Sequence, residues 1–137
     1  MHLGADTGFL IAIANKVPQA LELWGTIRSG KNNLVLSTVS INELLVHFYK
    51  RGMRNAAESL IRVAKDLKHI SIVPVSLSIA ELSAGYRHGL GLPTIDSIIL
   101  ATFVNRKCKS MYTGDSHFQI VKEKKIIEVL FINDWIN

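Results

Sequence analysis

Short apolar, β-branched runs recur along this chain with helical segments between them, and that alternation constrains the fold more than any other feature. Leu34–Val39 and Ile70–Val75 have the composition of buried strands, as do Ser110–Thr113 and the final Ile126–Ile132. Phe9–Ala14, Ala20–Ile27, Ser40 to about Lys50, Arg54–Leu67, Ser78 towards His88 and Thr94 to about Lys107 read as helices. Within Arg54–Leu67 the apolar positions Ala57, Leu60, Ile61 and Ala64 follow the helical period. Ser40-Ile41-Asn42-Glu43 and Ser78-Ile79-Ala80-Glu81 both fit a capping box, in which a Ser and a Glu three residues later satisfy each other's free N–H groups. His2–Ala5 is a short opening that turns at Asp6-Thr7-Gly8; Gly52 breaks a helix, Gly89–Pro93 is a turn capped onward by Thr94, and Phe118–Val121 forms one helical turn. This order predicts an α/β layer fold with a mainly parallel sheet. In such sheets ligands bind beyond the C-terminal ends of the strands.

The 137 residues fit a single domain spanning 1–137, and 48% hydrophobic against 20% charged residues exclude a disordered chain. No apolar run approaches the about 20 residues of a membrane span, and the opening segment lacks the basic start and cleavage-like ending of a signal peptide. The expectation is a chain of the cytoplasm with no membrane contact. Cys108 is the only cysteine, so no intramolecular disulfide forms. The net charge of +5 favours polyanions as partners, nucleic acid first among them.

Four of the eleven acids occupy comparable places. Asp6, Glu43 and Asp115 closely follow strands, and Asp96 falls in the first turn of a helix. Taken singly, each also fits a dull role: Asp6 and Asp115 as N-caps, Glu43 as the partner in a capping box, Asp96 as an acid at the positive end of a helix dipole. Taken together, a parallel sheet carries them to one edge. Two carboxylates about 4 Å apart repel by about 4 kcal/mol at an effective dielectric of about 20. Four cannot all stay ionised without a positive charge among them. All-oxygen ligands point to Mg²⁺ or Mn²⁺ rather than zinc. Outside the four, seven acids face sixteen Lys and Arg, a balance near +9. A negative pocket in a basic surround suits metal-assisted chemistry on a phosphodiester.

The same segments carry a resemblance. Asp6-Thr7-Gly8-Phe9-Leu10-Ile11-Ala12, Ser40-Ile41-Asn42-Glu43-Leu44, the run from Leu92 to Ala101 around Asp96, and Tyr112-Thr113-Gly114-Asp115-Ser116-His117-Phe118 resemble, in order, the four motifs of a PIN-domain nuclease of the VapC type, the toxin of a VapBC toxin–antitoxin pair. Gly8 departs from the pattern, which usually has Ser there. The resemblance implies a three-layer α/β/α sandwich, a Mg²⁺-dependent endoribonuclease acting on single-stranded RNA, a homodimer, and a cognate antitoxin that covers the site. Asp6, Glu43, Asp96 and Asp115 are the expected catalytic and metal-holding residues, with Thr7 and Thr113 orienting them as hydrogen-bond donors.

Other residues carry less. Of the five histidines, only His117, two residues after Asp115, falls near the acids. Lys50, Arg51, Arg54, Arg87 and the Arg106–Lys109 run are candidates for phosphate contacts or simply a solvated face. Trp24 and Trp135 read as buried or interfacial. Two rival readings stay open: a phosphoacceptor domain of the receiver type, which also gathers acids at strand ends, and a catalytically silent RNA-binding PIN module.

Overall fold

Five strands pair in parallel in the order β3-β2-β1-β4-β5, in a computed structural model that describes residues 1–135. β1 (His2–Ala5) is central, flanked by β2 (Asn33–Ser37) and β4 (Ser110–Thr113); β3 (Ile70–Val73) and β5 (Glu128–Phe131) form the edges. Leu3 stands opposite Leu34 on one side and Ser110 on the other, so the C-terminal ends of the three central strands lie level.

The period of two along the strands divides the molecule into layers. Leu34 and Leu36 join a core with Phe9, Leu10, Trp24, Ile27, Leu44 and Phe48. These belong to α1 (Thr7–Ala14), α2 (Pro18–Arg28) and α3 (Thr38–Tyr49), and α4 (Arg54–Asp66) adds Ala57 and Ala64. Val35 points the other way, into a core with Ile79, Leu100, Phe103, Met111 and Val121, built on α5 (Leu77–Leu90), α6 (Thr94–Asn105) and α7 (Gln119–Glu123). Each fully buried Phe or Leu contributes about 1.5–3 kcal/mol relative to exposure. The three-layer α/β/α architecture follows. Trp24 is buried, and Trp135 packs against Tyr112. Among the described residues no helix is long and apolar enough to cross a membrane.

Strand order also decides one rival. A receiver domain has the order 2-1-3-4-5. Here β1 lies between β2 and β4, so the phosphoacceptor reading fails on topology.

The predicted helix starts need correction. α3 begins at Thr38, with the Ser37 hydroxyl accepting from the Val39 N–H at 3.2 Å, so Ser40 and Glu43 form no capping box. Ser40 lies inside the helix, its Oγ buried with no hydrogen-bond partner. Likewise Ser76 rather than Ser78 caps α5, accepting from the Ile79 N–H at 3.2 Å. α6 starts at Thr94 itself; Pro93 occupies the cap position. The Asp6-Thr7-Gly8 turn is the first turn of α1, capped by Asp6. β3 stops at Val73 because Pro74 has no N–H to give the ladder. α5 runs to Leu90 and ends where Gly91 takes a left-handed conformation, φ +70°.

Candidate active site

The chain runs from β1 outward to β3, then returns through α5 and α6 to place β4 on the other side of β1. After β1 it enters α1 in one helical layer; after β4 it turns towards α7 in the other. A crevice therefore opens beyond the ends of β1 and β4, at the switch point where open α/β sheets bind ligands.

Asp6 sits at the floor of that crevice and is only 6% exposed. It leaves β1 with its N–H donating to the Tyr112 carbonyl at 3.1 Å. Its Oδ1 accepts from the Gly8 N–H at 2.9 Å, and its Oδ2 accepts a short hydrogen bond from the Thr113 hydroxyl. Burial pushes the Asp6 carboxyl up to about 6, against the opposing pull of Thr113 and the Gly8 and Gly114 N–H groups. The Thr113 Oγ1 also accepts from the Asp115 N–H at 3.0 Å, so one buried hydroxyl fixes the relation of two acids.

Asp115 caps the 3₁₀ turn Ser116–Phe118, accepting from the His117 N–H at 2.8 Å. The turn is pinned by the buried Phe118 and aims the His117 ring at α6. There the imidazole Nδ1 lies 2.9 Å from Asp96 Oδ2 and 3.1 Å from Asp115 Oδ1. Asp96 is half-buried in the first turn of α6. Its pKa is raised, first by burial and then by the Asp115 charge, with His117 opposing and Glu43 adding to the rise. His117 is correspondingly raised by its hydrogen bond to Asp96 and the nearby Asp115 charge.

Glu43 approaches from α3, one turn beyond the end of β2. The Thr7 hydroxyl lies 3.1 Å from Glu43 Oε1 and 3.3 Å from the Ser40 carbonyl, which ties α1 to α3 across the mouth. The four acids, with Thr7, Gly8, Ile99, Gly114 and Ser116, line one cleft of about 350 Å³.

All four carboxylates line this one cleft, with the Thr113 hydroxyl donating to Asp6 and the Thr7 hydroxyl to Glu43; among the described residues Asp96 and Asp115, together with His117, bring ligand atoms within 4.8 Å of one another, and Asp6 and Glu43 stand outside that group. Among the described residues no lysine or arginine forms an ion pair with any of the four; the one counter-charge is the His117 imidazole. An oxygen-rich donor set in a cleft lined by no cysteine, lysine or arginine fits a hard divalent cation.

Two features of the site have no clear signal in the sequence. The first is the bridge from His117, for which only its spacing from Asp115 gives a hint. The second is Gly8. A Cβ there would stand 3.0 Å from the Gly114 nitrogen and 3.1 Å from Asp6 Oδ1. The close approach of the two segments goes with glycine at position 8; a side chain there would need a neighbour to give by a few tenths of an ångström. No hydroxyl is lost from the Glu43 side, because Thr7 serves it.

The surround is basic in part. A groove lined by Val46, His47, Lys50 and Arg51 shares Glu43 with the acidic cleft. A second hollow, between α5 and α6, carries Arg87 and His88. Arg54 is otherwise engaged: it pairs with Glu58 at 3.2 Å and lies over the Tyr49 ring at 4.5 Å. Cys108 is half-buried, and burial pushes its thiol up to about 12, so it is inert at neutral pH.

Known structures share this fold. A toxin–antitoxin complex from Klebsiella pneumoniae aligns with a TM-score of 0.69 at 22% identity, covering 93% of this chain and 95% of that one. VapBC2 from Rickettsia felis, bound to a DNA fragment from its promoter, aligns with a TM-score of 0.74 at 14% identity, over 96% and 98%. VapC20 from Mycobacterium tuberculosis, a toxin that cleaves the sarcin–ricin loop, aligns with a TM-score of 0.69 at 18% identity, over 87% and 94%. At these identities the likeness establishes the fold. No curated protein sequence matches. The family model for the PIN domain matches residues 5–124, which include all four acids, and the chain therefore belongs to the PIN domain family.

Proposed function

We propose that this chain is a divalent-metal-dependent endoribonuclease that cuts single-stranded RNA, and that it is the toxin of a toxin–antitoxin pair. One observation carries the reading: four carboxylates from separate elements meet in a single cleft that contains no lysine or arginine counter-charge among the described residues. Membership of the PIN domain family and the likeness to toxin–antitoxin proteins support it.

Asp6, Glu43, Asp96 and Asp115 would hold the ion. Bound there, Mg²⁺ or Mn²⁺ would supply the positive charge that lets a phosphodiester enter and would act as a Lewis acid on its oxygens. The protein's own part is positional. Thr113 holds Asp6 and the Asp115 backbone; Thr7 holds Glu43. The α6 N-terminus brings Asp96 in from the opposite layer and adds the positive end of a helix dipole. Lys50 and Arg51, in the groove that continues from Glu43, would hold phosphates flanking the cut. An antitoxin protein is the expected protein partner, by likeness to the toxin–antitoxin structures, and a second copy of the chain is a further expected partner that only the motif resemblance implies.

The test is incubation of the purified chain with mixed RNA, in Mg²⁺ and in EDTA, followed by mapping of product ends. Discrete cuts that appear with Mg²⁺, vanish with EDTA and are lost in Asp96→Asn and Glu43→Gln support the reading. RNA binding with no metal-dependent cut would instead make the chain a silent RNA-binding module.

A further inference from the structure

We propose that His117 is a ligand of the metal site: its imidazole nitrogen, beside the Asp96 and Asp115 carboxylates, gives the bound ion a mixed nitrogen–oxygen position and tilts the site from Mg²⁺ towards Mn²⁺. The inference rests on the metal-dependent reading above. It adds a residue and a metal preference that four carboxylates alone do not carry.

Geometry is the first argument. Nδ1 of His117 lies 2.9 Å from Asp96 Oδ2 and 3.1 Å from Asp115 Oδ1. One ligand atom from each of the three residues can be chosen so that all lie within 4.8 Å of one another. Around an octahedral ion with ligands at about 2.1 Å, adjacent ligand atoms stand about 3 Å apart. The two separations are those of a hydrogen bond and an ion-pair contact, and they also match adjacent corners of one coordination sphere.

The second argument is how the ring is held. Asp115 accepts the His117 N–H, the short 3₁₀ turn fixes the backbone, and buried Phe118 anchors its far end. The side chain is aimed at Asp96 by a local cap and a core residue, and its exposure leaves the ring nitrogen reachable by an entering ion. Chemistry gives the preference. Carboxylates alone suit Mg²⁺ and Mn²⁺ alike, whereas imidazole binds first-row transition ions and has little to offer Mg²⁺.

The experiment titrates Mn²⁺ into the full chain at one fixed alkaline pH, by electron paramagnetic resonance, with Mg²⁺ as competitor. Wild type, His117→Ala, His117→Gln and Asp96→Asn are compared, with circular dichroism as the folding check. The expected result is that His117→Ala weakens Mn²⁺ binding by about tenfold or more. Mg²⁺ affinity should stay within about a factor of two, because the carboxylates that bind it remain. Pulsed spectra of wild type with Mn²⁺ should show coupling to a directly bound ¹⁴N, absent from His117→Ala. His117→Gln keeps a hydrogen-bonding side chain but no imidazole and should behave like His117→Ala. An unchanged Mn²⁺/Mg²⁺ ratio in His117→Ala, a ratio restored by His117→Gln, or a wild-type spectrum without ¹⁴N coupling overturns the proposal. If wild type binds neither ion, or Asp96→Asn binds both as wild type does, the metal-dependent reading falls with it, a result distinct from the first three.

Discussion

Replacing Asp6 by Asn should stabilise the protein in the absence of metal while destroying its activity. Asp6 is 6% exposed and its carboxyl is pushed from 3.8 up to about 6, chiefly by burial. The folded state therefore holds a proton more tightly than the unfolded chain does. Stability from this group is fully present below pH 3.8 and is lost as pH rises through about 6. At pH 7.5 the shift of about two units corresponds to about 3 kcal/mol of penalty for the ionised carboxylate. Asparagine carries no such charge. Its amide oxygen can still accept from the Gly8 N–H, but the Thr113 hydroxyl, which now donates to Asp6, loses a carboxylate acceptor, at a cost of about 1 kcal/mol. The expected net gain is about 2 kcal/mol, or about 7 °C in Tm for a chain of this size. The assay is thermal and urea unfolding of wild type and Asp6→Asn in EDTA at pH 7.5 and at pH 4.5. The advantage should fall below about 1 kcal/mol at the lower pH, where the folded wild type is already protonated. Added Mg²⁺ should raise wild type and leave the variant unmoved, because only the wild type keeps all four of the proposed ligands. An Asp6→Asn protein less stable than wild type at pH 7.5 in EDTA would refute the reasoning: ionised Asp6 would then be structurally favourable rather than held for a cation.

Three further outcomes follow from named contacts. Thr7→Val removes the hydroxyl that holds Glu43; it should lower metal affinity and cleavage by about tenfold while changing unfolding free energy by less than about 1 kcal/mol, as read by calorimetric titration and urea melts. Gly8→Ser sets a Cβ 3.0 Å from the Gly114 nitrogen, a tight contact rather than an overlap, and should lower cleavage by shifting the turn that carries Asp115; unchanged cleavage together with an unchanged melting curve would remove the steric argument. Lys50→Ala and Arg51→Ala should each weaken RNA binding whatever the sequence and lower the salt dependence by about one ion, measured by anisotropy titrations at several salt concentrations.

What the sequence disclosed and what it withheld separate along a physical line. Leu34–Leu36 announced its strand because burial on both faces demands an unbroken apolar run, Ile70–Val73 announced an edge strand by its β-branched residues with Ser71 exposed between them, and Ala57–Ala64 announced α4 by its period. The four acids were legible because a parallel order carries strand ends to one edge. The capping boxes misled because Ser37 and Ser40, or Ser76 and Ser78, are equally good caps locally. The choice is made by where β2 and β3 stop, which depends on pairing with other strands. The His117–Asp96 contact and the Gly8–Gly114 approach join residues far apart in sequence, and no local pattern encodes them.

The freed role of Glu43 shows why this difference matters. Had Ser40 capped α3, Glu43 would have turned back onto the Ser40 N–H and been consumed by the helix end. With Ser37 as the cap, the helix starts earlier, Glu43 stands a turn further in, and its carboxylate is left for Thr7 and the cleft. Asp6 and Asp115 do serve as caps, yet each commits only one oxygen to the helix end. Asp6 uses Oδ1 for the Gly8 N–H, and Asp115 uses Oδ1 for the His117 N–H. A cap oxygen held by a backbone N–H fixes the carboxylate plane: Asp6 then presents Oδ2 to the Thr113 hydroxyl, and Asp115 turns the same Oδ1 towards the His117 ring. On the proposed function, capping and ion binding would therefore be joint roles of Asp6 and Asp115, and the dull reading of each of these two acids is part of how the cluster is built.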